Sequence, residues 1–126
     1  MNPANIHILI VEDDEVMQIV VQKKLQNGGY QSTVVDNGLK AIEALKSRQF
    51  QCVLMDINMP EQDGLDAIRW IRDAEDEYLK SLPVFALTTY NSAEHTSEIL
   101  EAGMNGHLIK PFDMDKFKEL LGQFLK

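Results

Sequence analysis

The apolar positions of the chain change their period at regular intervals. Residues 6–11 (IHILIV) form a short β-branched run. Residues 15–27 then carry Met17, Val20, Val21 and Leu25 at helical spacing before Gly28 and Gly29 close the segment. Residues 32–35 predict a weak second strand, Asp36, Asn37 and Gly38 a turn, and Leu39, Ile42 and Leu45 a second helix. A third apolar run, 52–55 (CVLM), stops at a loop over 60–64, after which Leu65, Ile68 and Ile71 predict a third helix. The alternation then recurs twice. Strand 84–87 follows Pro83 and leads to helix 93–102, ended by Gly103; strand 107–109 leads to helix 113–125, with Met114, Phe117, Leu121 and Phe124 on one face. Near-continuous apolar strands imply burial on both sheet faces, and strand–helix alternation implies parallel pairing through right-handed crossovers. The expected fold is a doubly wound α/β domain of five strands and five helices.

A length of 126 residues suits one domain spanning 1–126, with its core over about 6–125. The 20 acidic residues outnumber the 12 basic ones, leaving a net charge of −8, which argues against direct nucleic-acid binding. The single cysteine, Cys52, excludes an internal disulfide, and no Cys/His set has zinc spacing. No leader-like amino terminus is visible, and no apolar stretch approaches the roughly 20 residues that a membrane span needs. A cytoplasmic protein without membrane insertion is expected. The acidic stretch 73–77 (DAEDE) reads as a solvated helix end or connection, Cys52 as core, and Trp70, off the apolar stripe of its helix, as partly exposed.

In doubly wound sheets, ligands bind beyond the carboxyl ends of the strands. Here strand 1 runs into Glu12, Asp13 and Asp14, strand 3 into Asp56, strand 4 into Thr88 and Thr89, and strand 5 into Lys110 and Pro111. Taken singly these residues have ordinary readings: Asp14 as a helix N-cap, Thr88 as a strand-end hydroxyl, Lys110 as a solvated charge. Taken together they are costly. At about 4 Å and an effective dielectric of about 20, each like-charge pair costs on the order of 4 kcal/mol. A counter-charge is required, and an all-oxygen, carboxylate-rich set suits Mg²⁺ better than zinc or copper. Asp56 is then free to attack a phosphoryl group, with the Lys110 ammonium and the Thr88 hydroxyl as donors to the charge that develops.

The segments LIVEDD, VLMDINMPEQDG, PVFALTTY and EAGMNGHLIKPF together resemble, over essentially the whole chain, the receiver domain of two-component response regulators. The resemblance implies a flavodoxin-like strand order 2-1-3-4-5 and phosphorylation at Asp56. It implies Mg²⁺ held directly by Asp13, through water by Glu12 and by the backbone carbonyl of Asn58, with Asp56 also in the metal set. Thr88 and Lys110 would bind the phosphoryl oxygens, with the Lys110–Pro111 bond cis. The phosphoryl donor would be a phosphohistidine on a histidine kinase or histidine phosphotransfer protein. Thr88 and His107 would act as the switch, remodelling the face of the fourth helix, fifth strand and fifth helix for a downstream protein target. Tyr90, two residues beyond Thr88, would shield the phosphoryl group from water. The sequence departs from the commonest family pattern at Glu12 (more often Asp), Thr89 (often Ala, Gly or Ser) and His107 (often Tyr or Phe).

On this reading the chain catalyses its own phosphorylation and dephosphorylation and is not an enzyme toward other substrates. A Mg²⁺-dependent phosphohydrolase with an Asp nucleophile would share the metal logic, but it calls for a general acid and a cap segment that the chain does not display. A phosphorylation-independent binding module would have no use for the full set of acids, hydroxyl and lysine. Because the chain ends with its fifth helix, no output domain is expected to follow; a stand-alone regulator and the receiver of a hybrid histidine kinase both fit.

Overall fold

The structure, a computed structural model, describes residues 2–56, 61–89 and 93–125. After a single 3₁₀ turn, the elements run β1 (His7–Val11), α1 (Glu15–Asn27), β2 (Gln31–Val35), α2 (Gly38–Ser47), β3 (Cys52–Asp56), α3 (Glu61–Asp73), α4 (Glu77–Lys80), β4 (Val84–Thr88), α5 (Ala93–Glu101), β5 (Gly106–Ile109) and α6 (Met114–Gly122). The strands form one five-stranded sheet in the order β2-β1-β3-β4-β5, with every pairing parallel. Both the class and the strand order match the expectation.

The pleat sends alternate strand residues to opposite faces, and each face has its own apolar cluster. Leu9, Val53, Met55, Val84 and Ala86 pack with Ala41 and Leu45 of α2, Ile68 and Ile71 of α3, and Ile99 of α5. Ile8, Ile10, Leu54, Phe85 and Leu87 pack instead with Val21 and Leu25 of α1 and Phe117 and Leu121 of α6. Every residue of β3 and β4 is buried, as helices on both faces require. Cys52 lies within this core, where burial pushes its thiol pKa up and keeps it inert.

Three boundaries differ from the sequence reading. Helix α3 begins at Glu61, so residues 61–64 are helical where a loop was expected. Helix α6 stops at Gly122; Phe124 lies beyond it, 39% exposed, its ring 5.6 Å from that of Phe85. The third difference is a sixth helix, α4, inside the acidic connection. At four residues it is far too short to persist alone and is held by tertiary contacts. Asp76 caps it through the Tyr78 N–H, the Phe50 N–H donates to the Tyr78 hydroxyl, and Leu79 packs on the core. Trp70 is half-buried on the same cluster, with Lys46 Nζ 5.8 Å from its ring centre. Among the described residues, no helix is long and apolar enough to cross a membrane.

Arg72 of α3 ties together the connections at the amino edge of β4 and β5. Its Nε donates to Gly103 O at 2.7 Å, its Nη1 to Lys80 O and Leu82 O at 2.9 Å each, and its Nη2 to Asn105 Oδ1 at 2.7 Å. The same Asn105 oxygen accepts the Val84 N–H at 2.9 Å. Gly103 stands at φ +102°, a backbone conformation that side chains rarely adopt, and an added Cβ would lie 3.1 Å from Arg72 Cγ. Arg72→Met strands these acceptors, so urea denaturation is expected to show a loss of roughly 2–4 kcal/mol. A loss below about 0.5 kcal/mol, the usual range for surface substitutions, would contradict the role of the guanidinium.

Candidate functional site

The parallel register brings four strand ends to one edge. Val11 pairs with Met55, Asp56 with Leu87, and Thr88 with Ile109, so Glu12, Asp56, Thr88 and Lys110 follow one another across neighbouring strands. Glu12 and Asp56 are buried and Asp13 is exposed; one carboxylate oxygen from each lies within 4.8 Å of the others. Lys110 closes the group. Its Nζ is 3.0 Å from Asp56 Oδ1 and 3.6 Å from Glu12 Oε1, with 14% of its side chain exposed. The solvated-charge reading of Lys110 is therefore wrong. Its backbone N–H donates to Thr88 O at 2.8 Å, and the Lys110–Pro111 bond is cis, as the family resemblance implied.

Burial raises the Glu12 carboxyl pKa to about 7. The adjacent Asp56 adds to the shift, as hydrogen-bond partner and as like charge, while the Asp14 N–H and the Lys110 ammonium oppose it. Glu12 Oε2 accepts the Asp14 N–H at 3.2 Å, whereas the buried Oε1 makes no hydrogen bond among the described residues. Among the described residues, three carboxyl groups thus face one ammonium, and the buried Glu12 Oε1 has that ammonium at 3.6 Å in place of a hydrogen bond. Such an all-oxygen donor set fits a hard divalent cation and offers nothing to a thiophilic one.

The remaining residues singled out in the sequence divide into three groups. Thr88 is fully buried at the end of β4. His107 pairs with Ala86 and so shares a sheet face with Thr88 on the neighbouring strand, half-buried. Asp14 is not part of the cluster: its side chain accepts the Val16 and Met17 N–H groups as the N-cap of α1. Thr89 is exposed. Asn58 and Tyr90 lie outside the described residues. Two residues that the sequence did not mark also reach the site's backbone, Gln18 through Glu12 O and Lys24 through Phe112 O. As polar residues on a helix they carried no signal of this.

A family pattern described as the response regulator receiver domain matches residues 8–122. Chemotaxis protein CheY-3 of Vibrio cholerae is 38% identical over 123 residues, covering 97% of this chain and 93% of that protein. Transcriptional regulatory protein ZraR of Klebsiella oxytoca is 34% identical over 99% of the chain, and probable histidine kinase 1 of Oryza sativa subsp. indica 33% over 94%. The chain spans 27% and 15% of the length of those two proteins, respectively. Among solved structures, chemotaxis response regulator CheY4 of Vibrio cholerae superposes with a TM-score of 0.82 at 28% identity, covering 95% of this chain and 98% of that one. The receiver domain of sensor histidine kinase PA1611 from Pseudomonas aeruginosa PAO1, solved with a magnesium ion coordinated in its active site cleft, gives 0.79 at 35% identity, covering 94% and 95%.

The raised Glu12 pKa fixes a sign for the pH dependence of stability. Between the ordinary carboxyl value and about 7, the folded chain holds a proton that the unfolded chain has released, so metal-free stability falls as pH rises through that window. Glu12→Gln removes this contribution. In EDTA its melting temperature is expected to exceed that of the native sequence by roughly 4 °C or more at pH 8, with the gap closing toward pH 4.5. Equal melting temperatures at pH 8 would refute the electrostatic cost assigned to Glu12.

Proposed function

The chain belongs to the response regulator receiver domain family, and we propose that Asp56 is the carboxylate through which it performs that family's phosphoacceptor signalling role. The observation that carries the assignment is the placement of Asp56: buried, grouped with Glu12 and Asp13, and 3.0 Å from the Lys110 ammonium. The donor is a phosphohistidine on a histidine kinase or histidine phosphotransfer protein. An Asp56 oxygen attacks phosphorus, the phosphorus–nitrogen bond breaks, and the imidazole leaves with the electron pair and takes up a proton.

In this reading Glu12, Asp13, Asp56 and the Asn58 carbonyl hold Mg²⁺. Once bound, the ion supplies positive charge against the transferring phosphoryl oxygens. Lys110 then exchanges its contact with the Asp56 carboxylate for one with a phosphoryl oxygen, and the Thr88 hydroxyl donates to another. The chain acts on itself alone, and nothing among the relatives named above supports a phosphohydrolase. The shared sheet face of Thr88 and His107 supports the readout: Thr88 moves toward the phosphoryl group, His107 follows, and the α5, β5 and α6 face changes for a downstream protein target. Differential interaction with the two states is what shifts such an equilibrium. Residues 1–126 act as one receiver domain in the cytoplasm, alone or within a longer hybrid histidine kinase, without direct contact to nucleic acid.

Incubation with acetyl phosphate and Mg²⁺ is expected to add one phosphoryl group, labile to hydroxylamine. Asp56→Asn should abolish the labelling and EDTA should prevent it. Lys110→Ala should slow it by roughly a hundredfold, as loss of a transition-state donor does. Labelling that survives Asp56→Asn would remove the assignment. For the readout, Thr88→Val is expected to accept the phosphoryl group yet lose the amide shift changes that labelling produces around His107. Shift changes retained in that variant would exclude Thr88 from the switch.

A further inference from the structure

Two side chains of α1 grip opposite sides of the site without entering it. Gln18 Nε2 donates to the Glu12 carbonyl and Lys24 Nζ to the Phe112 carbonyl, each at 2.6 Å. Glu12 belongs to the acidic cluster, and Phe112 follows Lys110 with a single proline between them. We propose that Gln18 and Lys24 are positioning residues, by which α1 anchors both the acidic loop and the Lys110 arm. Gln18 sets the affinity for the divalent cation through Glu12, and Lys24 sets the rate of phosphoryl transfer through Lys110. The proposal rests on the reading of Asp56 as phosphoacceptor.

The helix is suited to this task. Val21, fully buried, lies three residues from each of the two and therefore between them on the helix surface, so they emerge on either margin of the stripe that fixes α1 to the core. Among the described residues no carboxylate lies within 4.0 Å of Lys24 Nζ. Its ammonium serves a neutral carbonyl, a charge-assisted bond whose product is position rather than charge neutralisation.

Both gripped segments are short and already tethered at their other end. The Lys110 N–H is held by Thr88 O at 2.8 Å, the Phe112 ring is buried, and Pro111 between them has a fixed φ. A displacement at Phe112 therefore reaches Lys110. On the acidic side the Glu12 N–H is held by Val35 O at 3.0 Å and its carbonyl by Gln18, so that the peptide units before and after Glu12 are both fixed. Outer partners of metal ligands contribute roughly 10–100-fold to affinity, and misplacing a reacting group by about 1 Å costs roughly a hundredfold in rate.

The test uses Gln18→Met and Lys24→Met, which keep the length of the side chain and remove the donor, with Lys24→Arg as the conservative variant. Mg²⁺ affinity is measured on the unphosphorylated proteins by titration of amide shifts, and the labelling rate with acetyl phosphate at saturating Mg²⁺. Gln18→Met is expected to weaken Mg²⁺ binding by roughly tenfold while its saturated rate changes little. Lys24→Met should slow the saturated rate by roughly tenfold or more with little change in Mg²⁺ affinity, and should speed amide exchange over residues 110–113. Lys24→Arg should recover most of the rate. Variants in which affinity and rate fall together, in step with the melting temperature, would overturn the proposal; so would variants in which neither changes. If the native sequence takes up no phosphoryl group, or Asp56→Asn still does, the phosphoacceptor reading itself fails and this proposal falls with it. If native labelling requires Asp56 but the two effects do not separate, the positioning role alone fails.

Discussion

Three carboxylates held against one ammonium set the terms for everything at the carboxyl edge of the sheet. Lys110 stands 3.0 Å from Asp56 and 3.6 Å from Glu12, and with Asp13 in the same group it leaves negative charge uncompensated. Part of the imbalance is absorbed by the Glu12 carboxyl, whose pKa burial drives up to about 7. The rest remains as an attraction for a divalent cation, which is also what a dianionic phosphoryl group needs before it can approach a carboxylate. Stability and function pull against each other here, because the features that make the metal-free edge costly are those that favour the loaded one.

The parallel sheet makes that concentration of charge possible. Every strand points the same way, so every carboxyl end meets the same edge, and helices on both faces bury the strands that lead to it. Burial lowers the effective dielectric around Glu12 and Asp56 and strengthens both their repulsion and their attraction to Lys110. The opposite edge is built differently. There the Arg72 guanidinium is spent on backbone carbonyls and one side-chain amide, closing the connections that enter β4 and β5. One end of the sheet satisfies its polar groups internally, and the other leaves room for chemistry.

Relations to known proteins narrow the reading in proportion to coverage. Nearly the whole of CheY-3 aligns with this chain, whereas only a part of ZraR and of the rice histidine kinase does. What those proteins share with it is the receiver domain, so the phosphoacceptor role is common ground. The receiver fold can serve as a whole protein or as one module in a longer one.

Alternating apolar runs, caps and turn residues determined the five strands, the class of the sheet and most helix limits, because burial on two faces and helical spacing are local patterns. Asp14 as a cap, Cys52 as core and the strand-end positions of Glu12, Asp56, Thr88 and Lys110 could be read directly from the chain. Helix α4 could not, since a four-residue helix exists only through Asp76, Tyr78, Leu79 and their distant partners. Nor could the sequence distinguish buried Glu12 from exposed Asp13, adjacent acids whose burial depends on which side of the strand end faces the core. The grips of Gln18 and Lys24 were equally hidden. Lys24 meets a carbonyl 88 residues away, a contact that arises only when α1 and α6 pack side by side on one face of the sheet. Local pattern fixed where the chemical groups stand along the chain; tertiary packing decided their burial, their charge and what holds them still.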